Sequence, residues 1–307
     1  MARYLARRLL QIIPVFFGAT FLIYAAVYSI PGDPIRALAG DRPLPASTIE
    51  ALRDEFNLDD PLPVQYAKYI AGLFRGDFGQ SFRGREVSEI LRQRFPVTIR
   101  LGLLAFAIEV VIGLLAGLLA GLRRGSFLDN LVLVSTTFVI SIPIFVLGFV
   151  AQLVLGVRFG LLPVAGLREG WVSYVLPAMV LGSVSLAYAA RLTRTSLVEN
   201  LRADYVRTAT AKGMPRRRVV GRHALRNSLI PVVTFLGVDL GALMGGAIIT
   251  EGIFNIPGIG REVFVAVRGQ EGTIVVGIVT ALVMIFIFST LLVDILYAFL
   301  DPRIRYE

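Results

Sequence analysis

An all-α integral membrane protein with six transmembrane helices is the fold class that the sequence predicts, on three observations. Of the 307 residues, 55% are hydrophobic and the mean hydropathy is +0.71, whereas a soluble domain is about 45–50% apolar. Predominantly apolar stretches long enough to cross a hydrocarbon layer of about 30 Å recur along the chain. The basic residues cluster beside those stretches, as the flanks of membrane spans do.

Six apolar stretches account for the predicted spans. The first follows a basic N-terminus and is longer than the apolar core of a signal peptide, so we expect a retained anchor. The predicted spans are 9–30, 97–121, 131–157, 171–190, 229–250 and 274–300.

The distribution of Lys and Arg predicts the orientation of these spans. Six spans place both termini on one side, and the short segments of that side carry 17 basic residues, ten of them in the loop 191–228. The short segments of the opposite side carry Arg158, Arg168, Arg261 and Arg268. Because short loops rich in Lys and Arg remain on the cytoplasmic side of the membrane, both termini and the basic loop are predicted to be cytoplasmic.

The long segment 31–96 then forms a small extracytoplasmic domain between helices 1 and 2. The run from Ser47 to Glu50 has the pattern of a capping box and predicts a helix start, and a second amphipathic stretch follows Pro63. About 66 residues bury little apolar surface by themselves, so we expect packing on the outer ends of the spans. A simple external cap and direct contact with a partner both remain open for this domain.

The chain is thus predicted to contain three parts. Residues 1–30 form the N-terminal flank and helix 1, residues 31–96 form the outer domain, and residues 97–307 form a five-helix core. Two glycine stripes at four-residue spacing predict close helix packing within the core. They are Gly113, Gly117 and Gly121, and Gly237, Gly241 and Gly245.

Acidic residues within the predicted spans have two possible roles. Glu109, Asp239 and Asp294 are candidates for a proton or substrate path, because charged groups are costly in lipid. They are also compatible with hydrogen-bonded packing contacts. No Lys, Arg or His partner inside the spans completes a relay, which favours the packing role.

Several classes of function are excluded or disfavoured by composition. The absence of cysteine excludes disulfides, and a single histidine, His223, excludes a multi-histidine metal site. No credible catalytic constellation is present, and no cofactor is expected on this chain. The net charge of +9 comes from arginines beside apolar spans, which argues against nucleic-acid binding. Neither Lys68 nor Lys212 lies in a P-loop, so any ATP that drives this protein is bound by another chain.

The basic segment 191–231 is the most informative part of the sequence. From about Leu201, residues with apolar or small side chains recur at helical spacing, which predicts a helix. Gly213 and Pro215 then predict the end of that helix and the start of a second one. Two interpretations are open: an interfacial helix whose arginines meet anionic lipid, or a surface that another protein grips. The small residues Thr208, Ala209 and Ala211 favour docking into a groove.

Several runs of residues carry a family resemblance. Those of the basic segment are Asp204-Tyr205-Val206-Arg207-Thr208-Ala209, Lys212-Gly213, Arg222-His223-Ala224-Leu225-Arg226-Asn227 and Pro231. Outside it they are 31–34 (PGDP), 76–79 (GDFG), 162–166 (LPVAG), 251–260 (EGIFNIPGIG) and 300–305 (LDPRIR). Together, and in this order, they resemble the permeases of ATP-binding-cassette importers, specifically the dipeptide and oligopeptide permeases. The Glu-Ala-Ala of the general motif is replaced here by Arg207-Thr208-Ala209.

The resemblance implies a type I importer permease fold and a place in a peptide importer of the bacterial inner membrane. The implied partners are a second permease, two ATPase subunits that bind ATP and Mg²⁺, an extracytoplasmic peptide-binding protein and the lipid bilayer. The chain itself is not an enzyme on this view. The residues implied in ATPase coupling are Asp204, Tyr205, Arg207, Thr208, Ala209, Lys212, Gly213, Arg222, His223 and Leu225.

Two further interpretations complete the sequence-based predictions. The loop 251–273 is a candidate external gate through Ile256, Pro257, Gly258 and Phe264. The leading alternative function is an ion- or proton-driven secondary transporter, which would use the intramembrane acids directly.

Overall fold

The computed structural model describes residues 2–29, 35, 45–82 and 84–300, and it describes their side chains except at 2–5, 293, 294 and 296–300. The family-like runs 31–34 and 301–305 and the side chain of Asp294 lie outside this part. Within it the chain is almost entirely helical, and one isolated antiparallel bridge pairs Gln80 with Glu86. The all-α prediction is therefore confirmed for the described residues.

The helices run in the following order. They are α1 (Ala2–Tyr28), α2 (Ala46–Glu55), α3 (Leu62–Leu73), α4 (Val87–Leu122), α5 (Phe127–Ser141), α6 (Ile144–Arg158), α7 (Val172–Leu201), α8 (Asp204–Ala211), α9 (Arg216–Ile253), α10 (Ile259–Arg268) and α11 (Gly272–Leu300). Helix α4 contains a π-helical turn at Glu109–Gly113, and α9 contains another at Val219–Ala224.

Five of these helices are long and apolar enough to cross a membrane, and α5 with α6 make a sixth crossing if counted together. The predicted third span, 131–157, is not one straight helix, because the chain bends by 105° between α5 and α6. The bend lies at Ile142, which is extended (φ −101°, ψ 128°). The ring of Pro143 disfavours the helical conformation for the residue before it, Ile142. Pro143 also has no N–H with which to continue the helical hydrogen bonds.

Other helix boundaries also differ from the predicted ones. Helix α4 begins ten residues before the predicted span, and α7 continues to Leu201, so residues 191–201 are helix and not loop. Hydropathy marks the part of a helix that can lie in lipid, while charged turns extend the same helix beyond it. Helix α2 begins at Ala46 with Pro45 at its N-cap and no side-chain cap, so the capping-box prediction at Ser47 is wrong.

One compact unit consists of residues 1–99 and 256–307. Its helix α11 packs against α1 and α10, and Val87, Ile90 and Ile278 are fully buried. The start of α4 approaches α11 closely: a methyl group at Gly277 would lie 2.8 Å from a Val87 methyl carbon. The first turns of α4 are thereby fixed on α11.

The second compact unit, residues 100–255, is built around α7. Helices α4, α5, α6 and α9 all pack on α7, and its residues Ala189, Ala190 and Leu197 are almost completely buried. Small residues set the α4–α7 distance. A methyl group at Gly113 would lie 3.1 Å from Ala189 Cβ, and one at Gly182 would lie 2.9 Å from the Ala105 carbonyl oxygen.

The glycines of α9 behave differently from those of α4. Gly241 is buried, but Gly245 is exposed, and a methyl group there would meet nothing within 4 Å in the described chain. The neighbouring Gly246 faces α7 instead, where a methyl group would lie 3.3 Å from Leu181 Cδ1. The stripe read from spacing therefore does not form one packed face within this chain.

The α4–α7 contact gives a first prediction. A methyl group at Gly117 would lie 2.6 Å from Thr193 Cβ and against the Ala190 carbonyl oxygen, so Gly117→Ala is expected to destabilise the protein by about 1–3 kcal/mol. Thermal unfolding of the detergent-solubilised protein measures this. Gly18→Ala is the control, because nothing lies within 4 Å of that position. Equal melting temperatures for the two variants would contradict the close α4–α7 contact.

Candidate functional site

Helix α8 lies on an apolar base formed by its own chain. Val206 and Ala209 point inward, with 5% and 6% of their surfaces exposed, and they pack with Leu197, Val219 and Ala224. Leu118, Leu122, Leu201 and Met214 pack around this cluster. The base therefore draws on α4, α7 and α9, and α8 is fixed to the ends of all three helices.

The end of α8 is sharply defined. Gly213 has a φ of +77°, which favours glycine. The Met214 N–H donates to the Ala209 carbonyl over 3.3 Å and the Gly213 N–H donates to the Thr210 carbonyl over 2.9 Å. This is the Schellman arrangement, and Met214 packs on the cluster that contains Ala209, a contact that often accompanies it. The predicted helix stop at Gly213 and Pro215 is confirmed.

A hydrogen-bonded link joins α8 to the last turn of α7. The Tyr205 hydroxyl donates to Asn200 Oδ1, and Asn200 Nδ2 donates to the Ser196 carbonyl over 2.8 Å. The Thr208 and Thr210 hydroxyls donate to carbonyls four residues earlier, both over 2.9 Å. The hydroxyl groups of α8 are thus satisfied within α8 and the last turn of α7, which adds to its stiffness.

The outer face of α8 is polar and open. Asp204 lies in the first turn, where the helix dipole favours an acid. Its carboxylate lies 3.3 Å from Arg207, but both side chains are mostly exposed, so this pair adds little stability. Thr208, Ala211 and Lys212 are exposed beside it. Ala209, which the sequence grouped with Thr208 and Ala211, lies on the opposite, inner face.

The start of α9 completes this surface. Arg218, Arg222 and Arg226 are all exposed, and Leu225 is half-buried. His223 is half-buried, and its Nε2 atom is buried with no hydrogen-bond partner in the described chain. The residues singled out in the basic segment therefore come together as α8, a tight turn and the first turns of α9.

An ion pair beside this surface was missed by the sequence reasoning. Arg194 Nε and Nη2 donate to Asp129 Oδ1 and Oδ2, both over 2.9 Å, and the Asp129 side chain is 2% exposed. Asp129 also accepts from the Gly125 N–H over 2.8 Å. Ser126 caps α5 by accepting from the Asp129 N–H. The signal in the sequence was the Ser-x-x-Asp start of α5, but the partner lies 65 residues away.

The candidate gate residues lie in the other unit. Ile256 and Gly258 are buried, whereas Phe264 is 49% exposed on α10. The Ile259 N–H donates to Thr98 Oγ1 over 3.0 Å. Glu262 lies 3.1 Å from Arg94 and 3.8 Å from Arg85. Helix α10 is thus held on the start of α4 by charged and polar contacts.

Glu109 and Asp239, two of the three acids singled out in the predicted spans, lie near each other in the unit of residues 100–255. The Glu109 and Asp239 carboxyl groups lie close enough for their charges to act on each other, but neither Glu109 oxygen has a hydrogen-bond partner in the described chain. Asp239 Oδ1 accepts from the Ser185 hydroxyl over 2.9 Å. Glu109 is fully buried at the start of the π-helical turn. No basic group pairs with either acid in the described residues, and no group there has the composition of a metal site.

Comparisons with known proteins place the chain among transport proteins. A family model described as "Binding-protein-dependent transport system inner membrane component" matches residues 113–306. A second model, for the N-terminal part of such membrane components, matches residues 1–102.

Two relatives from Escherichia coli strain K12 match over the whole of both chains. The glutathione transport system permease protein GsiC is 38% identical over 308 residues. The dipeptide transport system permease protein DppB is 37% identical over 338 residues.

The buried ion pair gives a second prediction. Arg194→Ala leaves the Asp129 carboxylate buried and unpaired, and we expect a loss of about 3–5 kcal/mol in stability. Thermal unfolding in detergent measures the loss. Arg191→Ala is the matched control, because Arg191 is an exposed residue of the same helix. A similar small effect for both variants would show that the pair contributes nothing.

Proposed function

Because this chain belongs to the family of binding-protein-dependent transport system inner membrane components, we propose that it is a transmembrane permease subunit of an ATP-driven peptide importer. Its relatives are the permease proteins of a glutathione and a dipeptide transport system. These names support short peptides as the cargo class. The family matches give no support to the ion- or proton-driven alternative.

The observation that carries this proposal is α8 on its packed base. A transporter that binds no nucleotide itself needs a stiff element through which another chain can move it. Helix α8 has a defined end at Gly213, a buried inner face at Val206 and Ala209, and an exposed polar outer face. We propose that this outer face docks on an ATPase subunit, with Asp204, Arg207, Thr208 and Lys212 in contact with it.

Motion of α8 is passed on to the spans through its attachments. It is joined to α7 by Tyr205 and Leu197 and to α9 by Val219 and Ala224. When ATP and Mg²⁺ draw two ATPase subunits together, α8 is displaced, and α7 and α9 move with it. With a second permease related by approximate symmetry, this gives a rigid-body change between inward-open and outward-open states. These features support a type I importer fold.

The remaining assignments follow from the same proposal. The protein lies in the bacterial inner membrane with both termini in the cytoplasm, and the segment 31–96 is extracytoplasmic. There it meets a peptide-binding protein that delivers cargo. Helix α10, with Phe264 exposed and Glu262 anchored to Arg94, forms part of the external gate.

The decisive experiment is reconstitution. This chain is placed in proteoliposomes with the second permease, the ATPase subunits and the binding protein that co-purify with it. We expect uptake of a labelled dipeptide that requires ATP and is inhibited by vanadate. Uptake by this chain alone, driven by an ion gradient, would overturn the proposal.

A third prediction concerns coupling through α8. Thr208→Trp adds bulk to the exposed outer face without straining the helix, so we expect assembly to persist while uptake per ATP hydrolysed falls about tenfold or more. The measurement is uptake and ATP hydrolysis in the same proteoliposomes. Leu10→Trp is the control, since Leu10 is an exposed apolar residue of α1. Normal coupling in Thr208→Trp would count against docking at this face.

A fourth prediction concerns topology, and the chain is convenient for it because it contains no cysteine. Thr48 and Thr210 are both exposed. A cysteine introduced at Thr48 should react with an impermeant thiol reagent from the outside of cells. A cysteine at Thr210 should react only after the membrane is opened. Labelling of both from the same side would overturn the proposed orientation.

A further inference from the structure

A cavity of about 550 Å³ lies within the unit of residues 1–99 and 256–307. Its wall is formed by the C-terminal end of α1, by α2 and α3, by residues of 75–80 and 86–88 and by the first turns of α11. Small-molecule pockets usually measure about 300–1,000 Å³. The cavity is therefore large enough for an amino-acid derivative or a short peptide.

One side of the cavity is aromatic. The rings of Tyr24 and Tyr28 lie 4.5 Å apart between centroids, and those of Tyr24 and Tyr69 lie 5.5 Å apart. The Tyr28 hydroxyl is 3.3 Å from Thr273 Oγ1. Burial raises the pKa of Tyr69 to about 12, so its phenol stays neutral. Tyr24 is itself buried and packs behind the other two rings, so Tyr28 and Tyr69, which are half-buried, offer apolar faces with polar edges to a ligand.

Three carboxylate side chains on the wall, those of Glu55, Asp77 and Glu86, have no basic partner in the described chain. Among the described residues, each accepts a hydrogen bond from a neutral donor only. Gln80 Nε2 donates to Glu55 over 2.6 Å, the Gly79 N–H donates to Asp77 over 2.8 Å, and the Ser88 hydroxyl donates to Glu86 over 2.9 Å. Within the described chain none of the three forms a salt bridge.

The two basic residues of the wall differ from each other. Lys68 is already engaged, because it lies 2.6 Å from Asp60 and also donates to Asn57. Arg75 is exposed and forms no salt bridge with any described residue. The charged groups of the wall without an oppositely charged partner in the described chain are therefore three carboxylates and the guanidinium of Arg75. They lie beside the aromatic side of the cavity.

We propose that this cavity binds a short peptide with free termini. The carboxylates receive the terminal ammonium, Arg75 receives the terminal carboxylate through paired N–H donors, and the rings of Tyr28 and Tyr69 contact the side chains. This rests on the proposed function and deepens it. It gives the permease a cargo site of its own, distinct from the binding protein and from the path between the spans.

Equilibrium binding tests the proposal on the full-length chain in nanodiscs, without its partners. The probes are radiolabelled Ala-Phe, its N-acetyl form and its C-terminal amide. We expect saturable binding of the free dipeptide and at least about tenfold weaker binding of each capped form, because each cap removes one charge-assisted contact. Arg75→Gln should weaken binding of the free dipeptide about tenfold and leave the already weak binding of the amide unchanged.

The control is Arg92→Gln, which removes an exposed arginine outside the cavity. Equal effects of the two arginine variants, or equal binding of free and capped peptides, would overturn the site. Native mass spectrometry could instead detect an ethanolamine phospholipid that is lost in Arg75→Gln and is not displaced by the dipeptide. That result would also overturn the site. If binding is absent while the reconstituted transporter still imports the dipeptide, this inference fails and the proposed function stands.

Discussion

The close approach of α4 to α7 is the contact on which the unit of residues 100–255 depends. Gly113 and Gly117 let the two backbones meet at distances that any larger residue would prevent. Helix α7 is thereby held at the centre of the unit and continues to Leu201, beyond the apolar part of its span. Its last turns carry Arg194, which pairs with Asp129 of α5, and Leu197, which lies under α8.

The stiffness of α8 follows from this arrangement. An isolated helix of eight residues is marginal in water, because nucleation is costly. Here Val206 and Ala209 are buried on the ends of three longer helices, and the Schellman turn at Gly213 satisfies the last carbonyls. The outer face is then free to meet a partner without any rearrangement of the backbone. When such a helix is displaced, it does not deform, and the displacement passes to α7 and α9.

Paired and unpaired charges are separated in the unit of residues 1–99 and 256–307. Glu262 lies between Arg94 and Arg85, and it fixes α10 on the start of α4. The carboxylates of the cavity wall have only neutral hydrogen-bond donors, and Arg75 has no acidic partner among the described residues. Paired charges hold this unit together, whereas the unpaired ones are available to a ligand.

The sequence by itself determined the helical membrane class, the existence of most spans, the stop at Gly213 and the family, because composition, apolar length and local turn chemistry carry these features. It did not determine that Asp129 meets Arg194, that Ala209 faces inward or that Glu109 meets Asp239. Periodicity shows which residues share a face of a helix, but burial depends on a neighbouring helix that lies far away in the chain. Only the tertiary structure could decide which faces were covered.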